Sequence, residues 1–353
     1  RFYGDDVAVV VAETELAAKA GVAALEVEYD TLPFVLDPVA AMAEGVAQIQ
    51  ESYPGNVLAH TRVSVGDFEN AIREPGLVKV EGTYDTGTVQ HCHIENHICF
   101  AEAEGGRVTV TSSTQIPQIV RRVVGQALGV GWGKVRIIKP YIGGGFGNKQ
   151  DALYEPLCAW VCTQVGGRTV KIDTTREETF VNQRVRHAMQ IKITSWVRPD
   201  GTFAARRYEC YSDQGGYASH GHSIASKAMN CFHEMYQCAN VESDAWTVYT
   251  NKPSAGAMRG YGIPQAMWAG ECHIDDVCKQ MGFDPVQFRI QNIMEAGHVN
   301  HFNKNENFND SLRSTLLKGA EHFGYAETLA RCESQDPAAR IRRGVGVASF
   351  WYN

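Results

Sequence analysis

Tyr141-Ile142-Gly143-Gly144-Gly145-Phe146-Gly147-Asn148-Lys149 joins a predicted strand over residues 134–139 to a helical pattern over residues 151–165. Four glycines in five positions allow backbone conformations that a Cβ would forbid. They also let backbone N–H groups approach an anionic ligand at the entrance of a helix. Phe146 is the single aromatic residue among these glycines. We therefore expect a flat or bulky group to pass this loop.

A second loop of similar composition, Ala257-Met258-Arg259-Gly260-Tyr261-Gly262-Ile263-Pro264-Gln265, overlaps the start of a predicted helix over 263–281. Two such loops suggest one polar cofactor or substrate held from two sides. The first loop does not match a dinucleotide-binding fingerprint, because its glycine spacing is different. It is not a P-loop either, because Lys149 is followed by Gln150. Glycine content alone favours a ligand-binding loop and a tight strand–helix turn equally.

Composition limits the classes of protein to which the chain can belong. Its 353 residues suffice for two or three domains of about 150 residues each. A hydrophobic fraction of 44%, a charged fraction of 21% and a net charge of −7 are typical of a globular protein and give no basic surface for nucleic acid. No apolar run approaches the roughly 20 residues that span a membrane. Both ends lie in strand-like sequence, so we expect the chain to be part of a longer protein.

The cysteines argue against a metal cluster bound by this chain. None of the ten cysteines forms a Cys-x-x-Cys pair, the spacing expected of ligands to an iron–sulfur cluster or structural zinc. Cys158 and Cys162 lie one helical turn apart among apolar residues, which favours core packing over a redox pair. Unpaired core cysteines indicate a reducing compartment, so we expect the protein in the cytoplasm.

Two histidine pairs could suggest metal ligands. If residues 88–101 form a strand, His91 and His93 share one face and Cys92 the other. A metal site needs three or four converging ligands, so polar residues lining a pocket are the better interpretation. His220-Gly221-His222 is predicted to be a loop.

The overall pattern predicts a mixed α+β fold. An N-terminal unit ends near residue 45 and contains strands at 7–11 and 25–29, a helix over 14–24 and a short helix near Asp37. Further strands are predicted at 61–65, 78–86, 88–101, 107–112, 134–139, 168–173, 189–197, 202–212 and 244–250, and further helices at 117–128, 151–165, 263–281 and 285–296.

Five motifs, in order, resemble the xanthine dehydrogenase/aldehyde oxidase family of molybdenum hydroxylases, most closely the molybdenum-binding subunits of its bacterial xanthine dehydrogenases. The motifs are Gln90-His91-Cys92-His93-Ile94-Glu95, Ser113-Thr114-Gln115, Gly143–Lys149, Arg186-His187 and Arg259–Gln265. The resemblance covers essentially the whole chain. It implies that residues 1–45 are the C-terminal part of an α/β hammerhead domain and residues 46–60 a connector. Residues 61–353 would then be the first molybdopterin-binding domain, incomplete at its C-terminal end.

The resemblance also implies a chemistry. A molybdenum–molybdopterin cofactor, in its cytosine dinucleotide form, would hydroxylate a purine such as xanthine or hypoxanthine with oxygen derived from water. Electrons would pass to [2Fe-2S] clusters and FAD on partner subunits, since this chain has neither cluster cysteines nor a flavin motif. Hydroxylation of another aza-heterocycle or an aldehyde is an alternative. A second alternative is a non-catalytic scaffold half of such a complex.

Site residues follow from the same resemblance. Those implied to contact the cofactor are Gln90, Gly145, Phe146, Gly147 and Arg259, and those implied to face the substrate are Gln150, Lys192 and Tyr261. No side chain is implied to ligate the metal directly. The catalytic glutamate of the family is expected beyond Asn353, in a C-terminal molybdopterin-binding half, so no catalytic residue is assigned in this chain.

Overall fold

The computed structural model of the chain describes residues 1–300 and 304–352. In these residues the chain forms two β-sheets with helices packed against them, which confirms the α+β prediction. Asn353, the last residue of the domain predicted over 61–353, lies outside the described residues. Within the described ranges, no helix is both long enough and apolar enough to cross a bilayer.

The elements are short and follow one another closely. The helices are α1 (Glu15–Ala23), α2 (Pro38–Ala41), α3 (Phe68–Ala71), α4 (Pro117–Leu128), α5 (Glu155–Gln164), α6 (Arg176–Asn182), α7 (Gly221–Glu234), α8 (Ile263–Met281), α9 (Pro285–Asn292), α10 (Ser311–Phe323) and α11 (Tyr325–Glu333). The strands are β1 (Val57–Val65), β2 (Val78–Thr86), β3 (Ile98–Glu104), β4 (Arg107–Ser112), β5 (Val135–Ile138), β6 (Val170–Asp173), β7 (Met189–Val197), β8 (Phe203–Gly215) and β9 (Val241–Tyr249).

The larger sheet has the strand order β1-β9-β8-β7-β2. β8 and β9 are parallel, and the other neighbouring strands are antiparallel. Because side chains alternate along a strand, Ile191 and Ile193 of β7 point to the same face. They form a buried cluster with Tyr208 of β8, Ala228 of α7 and Ala266 of α8. This packing fixes the N-terminal end of α8, and with it the second glycine loop.

The smaller sheet has the order β5-β4-β3-β6 and carries α4 and α5. Val110, Val120 and Val135 belong to its core, together with Cys158 and Cys162, which are both fully buried. The core interpretation of these two cysteines is confirmed. β5 leads directly into the first glycine loop, so this sheet determines where that loop starts.

Two predicted strands were wrong, and a third begins later than predicted. Residues 7–11 and 25–29 form no ladder with the described residues, and their apolar side chains, such as Val9 and Val27, remain exposed. Strand β3 begins at Ile98 rather than at residue 88. The segment before it contains Cys92 at φ +51°, which interrupts an extended strand, and makes only one isolated bridge, from Val89 to Arg186.

The helix predictions were better where a capping signal was present. α4 and α8 have the predicted bounds, and both end before a glycine with positive φ, Gly129 and Gly282. α5 begins later than predicted, at Glu155. The predicted loop at His220 was wrong, because His220 is the N-cap residue of α7 and Gly221 and His222 lie in its first turn. This helix has no side-chain N-cap hydrogen bond, so the usual start signal was missing.

A buried carboxylate connects the C-terminal helices to the rest of the fold. Glu271 of α8 is 6% exposed. It accepts hydrogen bonds from Arg289 Nε at 2.8 Å, Tyr236 O–H at 2.6 Å and the N–H of Ser349 at 2.7 Å. Arg289 itself is fully buried.

We expect Glu271→Gln to lower the free energy of unfolding by about 3 kcal/mol, because Arg289 would lose its buried counter-charge. Urea denaturation would measure the loss. Glu295→Gln is the matched control, since Glu295 pairs with Arg313 at 2.9 Å but is largely exposed, and it should change stability little. Equal losses in the two variants would contradict the role given to Glu271.

Candidate cofactor-binding site

The two glycine loops contact each other through their backbones. The carbonyl oxygen of Phe146 accepts a hydrogen bond from the N–H of Arg259 at 2.9 Å. Gly147 lies at φ +109°, and a Cβ built on it would stand 2.4 Å from the carbonyl oxygen of Ala257. Only glycine permits this approach. The two loops expected to hold one ligand therefore lie side by side.

Each loop places an aromatic residue in the left-handed backbone region. Phe146 has φ +52° and Tyr261 has φ +51°. Tyr261 lies between Gly260 and Gly262, which also have positive φ. Such a conformation costs a bulky residue about 1–3 kcal/mol and is typical of functional sites. Phe146 is 49% exposed, so its ring is available to a ligand.

An ion pair between a fully buried lysine and a partly exposed glutamate supports the first loop. Lys149 is fully buried and its Nζ pairs with the carboxylate of Glu95. The same carboxylate accepts the N–H of Gly143 at 3.1 Å, and the N–H of Glu95 donates to the carbonyl of Gly143 at 3.2 Å. Burial raises the pKa of Glu95, but the hydrogen bonds from Lys149 and Gly143 outweigh it, and the net pKa is lowered. Glu95 is therefore a charged support of the loop.

Gln115 supports the same loop from the smaller sheet. Its Oε1 accepts the N–H of Gly147 at 3.0 Å, and its own N–H donates to the carbonyl of Lys149 at 2.9 Å. A Cβ built on Gly145 would stand 2.4 Å from this Oε1. Gly147 is thus required by a backbone contact within the protein, and a Cβ at Gly145 would displace the Gln115 amide that accepts the N–H of Gly147.

The histidine segment supports both loops. His91 Nε2 donates to the carbonyl of Ala257 at 2.7 Å, and His93 Nε2 accepts from Asn148 Nδ2 at 2.9 Å. Both histidines are buried, and Cys92 between them is exposed. Among residues 1–300 and 304–352, no three histidine, cysteine, aspartate or glutamate side chains are grouped to hold a metal ion. The histidines position the loops, and the structure gives no support to a metal site of their own.

Arg186 supports the second loop. Its Nη2 donates to the carbonyl of Arg259 at 2.7 Å and its Nη1 to Gln265 Oε1 at 3.1 Å. Gln265 Nε2 donates in turn to the carbonyl of His187 at 3.1 Å. Burial lowers the pKa of Arg186. The side chain of Arg259 is exposed and lines a cavity, so its charge is available to a ligand.

The side-chain amide of Gln90 forms hydrogen bonds with the protein backbone. Its Nε2 donates to the carbonyl of Thr179 at 2.8 Å, with a longer contact to Arg184 at 3.3 Å, and its Oε1 accepts the N–H of His91 at 2.6 Å. These contacts occupy both ends of the amide. A contact between Gln90 and a cofactor stays a prediction, and the observed role of Gln90 is to hold the histidine segment.

The structure does not bring all the predicted substrate residues together. Gln150 follows the first loop and donates its N–H to the carbonyl of Gly147 at 3.0 Å. Tyr261 packs against the cluster under α7 and α8. Lys192 pairs across the strands with Thr83 and Glu209. It alternates with the buried Ile191 and Ile193, so its side chain leaves the opposite face of the sheet. The larger sheet therefore separates Lys192 from Tyr261, which corrects the grouping expected from the sequence.

A different lysine lies at the site. A cavity of about 590 Å³ is lined by Arg259, Gly260, Pro264, Phe350 and Tyr352. Lys227 Nζ, on α7, lies 5.0 Å from the centroid of the Tyr352 ring. Sequence reasoning missed Lys227, because the residues around His220 were predicted to be a loop and α7, the helix that carries Lys227, begins without a side-chain cap. An exposed arginine, a nearby lysine and the backbone at the N-terminus of α8 suit a large anionic cofactor.

Comparison with known proteins agrees with this geometry. Residues 49–293 match the family of molybdopterin cofactor-binding domains. A putative xanthine dehydrogenase molybdenum-binding subunit of Escherichia coli strain K12 is 44% identical over the whole chain and 46% of its own length. The large molybdopterin subunit of nicotinate dehydrogenase from Eubacterium barkeri is 34% identical over 84% of the chain and 69% of its own length. Quinoline 2-oxidoreductase of Pseudomonas putida 86 superposes with a TM-score of 0.86 at 25% identity, over 94% of this chain and 43% of that one.

The chain therefore belongs to the molybdopterin cofactor-binding domain family. The resemblance to the xanthine dehydrogenase/aldehyde oxidase proteins that its five motifs suggested is confirmed. The chain spans about half the length of the first curated relatives that it matches.

Gly147→Ala should reduce the molybdenum content of the purified, assembled protein by about tenfold or more, because the new Cβ would force the two loops apart. Metal analysis by mass spectrometry measures this directly. Gly133→Ala is the control, since a Cβ built there meets no atom within 4 Å. Normal metal content in Gly147→Ala would show that the close approach of the loops is not required.

The buried histidines predict an acid-sensitive fold. Burial lowers the pKa of His187 and of His91 from 6.5 to about 4. Between these values the unfolded chain binds protons that the folded chain does not, so stability falls as pH falls from about 6.5 to about 4. Denaturant titrations at several pH values should show a smaller fall in His187→Gln, by up to about 1.4 kcal/mol per pH unit. His322→Gln, at an exposed position, should keep the wild-type slope.

Proposed function

We propose that this chain holds the molybdenum–molybdopterin cofactor of a hydroxylase that acts on a purine such as xanthine or hypoxanthine. The observation that carries the proposal is the backbone contact between the two glycine loops, with Phe146 and Arg259 exposed beside it. The 44% identity to a putative xanthine dehydrogenase subunit over the whole chain supports the purine. The 34% identity to a nicotinate dehydrogenase subunit supports another aza-heterocycle as the alternative.

Each group of residues has a distinct task. Gly145 and Gly147 keep the loop backbone accessible, Phe146 bounds the approach to the reacting atom, and Arg259 neutralises negative charge on the cofactor. When bound, such a cofactor supplies oxygen derived from water and accepts the electrons of the substrate. The protein contributes position and the exclusion of water.

Substrate recognition falls to residues at and near the two glycine loops. Gln150, at the end of the first loop, offers both hydrogen-bond donors and an acceptor to a heterocycle. Tyr261 offers an aromatic ring. Lys227, whose Nζ lies 5.0 Å from the centroid of the Tyr352 ring, joins Arg259 as a cation near the site, whereas Lys192 leaves the other face of the larger sheet. A cation near a purine would favour its anionic form.

The rest of the enzyme is assigned to other parts of the complex. We propose FAD and [2Fe-2S] clusters on partner subunits, and a C-terminal molybdopterin-binding half that supplies the catalytic base. Residues 1–45 would complete a hammerhead domain, residues 46–60 would connect it to the cofactor-binding domain, and the cofactor would be the cytosine dinucleotide form. The ten free cysteines favour the cytoplasm as the site of assembly.

The test is metal and pterin analysis of the purified full complex, followed by turnover with xanthine, hypoxanthine, nicotinate and an aldehyde. We expect about one molybdenum and one pterin per copy of this chain, and the highest kcat/KM for a purine. Preference for nicotinate or an aldehyde would reject the purine but keep the hydroxylase. A complete complex without stoichiometric molybdenum would instead favour a scaffold.

A further inference from the structure

We propose that His220 and Asp151 are positioning residues that hold the ring of Tyr261 against a planar substrate. The three residues come from three different segments: Asp151 follows the first glycine loop, His220 caps α7, and Tyr261 lies in the second loop. The inference rests on the proposed function, because it requires a planar substrate near the two loops.

The side chains of Tyr261, His220 and Asp151 lie next to one another in that order. The hydroxyl of Tyr261 lies 2.8 Å from His220 Nδ1, and the two rings meet edge-on, with centroids 5.8 Å apart at 80°. On the other side of the imidazole, Nε2 lies 3.8 Å from Asp151 Oδ1. His220 therefore sits between a phenol and a carboxylate and connects the two glycine loops through side chains.

The carboxylate of Asp151 is itself fixed. Its Oδ2 accepts hydrogen bonds from Arg184 Nε at 2.6 Å and from Ser219 Oγ at 2.6 Å. Gly256 closes this arrangement, since a Cβ built there would stand 3.0 Å from Ser219 Oγ and 3.1 Å from Arg184 Cγ. With Oδ2 occupied, Oδ1 remains for His220. The carboxylate is a rigid reference point rather than a mobile surface group.

The chemistry of the three groups favours one direction for the hydrogen bond between Tyr261 and His220. A carboxylate only accepts, and at 3.8 Å Oδ1 of Asp151 attracts an N–H on Nε2 electrostatically without forming a hydrogen bond. With the ring proton on Nε2, Nδ1 accepts a hydrogen bond from the hydroxyl of Tyr261. Rotation of the phenol is restricted at its outer end, while at the other end the backbone is held where Gly262 packs against α7, since a Cβ there would stand 2.5 Å from the carbonyl oxygen of Ile224.

The backbone of Tyr261 indicates that the side chain is used. A turn at φ +51° favours glycine, and the two neighbouring residues are glycines with positive φ. A tyrosine there is strained, and such strain persists where a side chain serves the site. Phe146 has the same conformation in the first loop, so each loop presents one held aromatic ring. Phe146 has no hydroxyl to anchor, whereas Tyr261 is tied to His220.

The experiment uses the assembled, cofactor-loaded enzyme and the variants Tyr261→Phe, His220→Ala and His220→Asn. Tyr261→Phe keeps the ring but removes the anchor. His220→Asn keeps an oxygen acceptor close to the place of Nδ1. Steady-state kcat and KM are measured with xanthine and with acetaldehyde, which has no ring to stack. Calorimetry with urate gives a dissociation constant that does not depend on turnover.

We expect Tyr261→Phe and His220→Ala each to raise the KM for xanthine and the dissociation constant for urate by about threefold to tenfold, the loss of one hydrogen bond, with kcat nearly unchanged. His220→Asn should recover most of the loss. The double variant Tyr261→Phe/His220→Ala should show no larger rise in KM and dissociation constant than either single variant, because both substitutions remove the same hydrogen bond. Tyr211→Phe, on a tyrosine stacked on Trp246 in the larger sheet, is the matched control and should behave as wild type.

Three results would each overturn the inference while the proposed function stands. The first is an active wild type together with a Tyr261→Phe variant whose xanthine KM and urate affinity are unchanged. The second is a KM for acetaldehyde that rises in the variants as much as the KM for xanthine, and the third is a His220→Ala variant that loses only thermal stability. A wild-type complex that contains no molybdenum and turns over none of the substrates would remove the proposed function, and the inference with it.

Discussion

The site depends on one steric constraint, the approach of the Gly147 backbone to the carbonyl oxygen of Ala257. A Cβ at Gly147 would stand 2.4 Å from that oxygen, so the two loops can meet only where one of them carries no side chain. The hydrogen bond from Arg259 to Phe146 then aligns the two backbones. Phe146 and Arg259 are adjacent in space although more than a hundred residues separate them in sequence, and this adjacency creates the ligand-facing surface.

Buried polar contacts keep that approach in place. Lys149 and Glu95 form an ion pair that also holds Gly143, and such a pair tolerates burial only when its hydrogen bonds are satisfied. His91 and Arg186 hold the second loop through its carbonyl groups. The motifs spread over the sequence are thus the supports of two loops. Their spacing in sequence carries no meaning until the sheets fold and bring them together.

Much of the fold followed from local patterns. The bounds of α4 and α8 could be predicted because apolar periodicity ended at glycines that allow a left-handed cap. The structure of segment 88–97 could not be predicted in this way. Its alternating polar residues form hydrogen bonds to separate loops instead of pairing with a neighbouring strand. Lys192 was misplaced for a related reason, because counting along a chain does not reveal which face of a sheet a side chain leaves. Lys227, on α7, lies instead beside Tyr352, which lines the cavity.

The sequence by itself determined the α+β class, both glycine loops and the family, because glycine content and motif order are properties of the chain. Which residues meet was decided only by the tertiary structure. The contact between Tyr261, His220 and Asp151 joins three segments that have no local signal in common, since α7 begins without a side-chain cap. Local propensity acts over a few residues, whereas a site is assembled by the packing of two sheets that place distant loop ends at the same point.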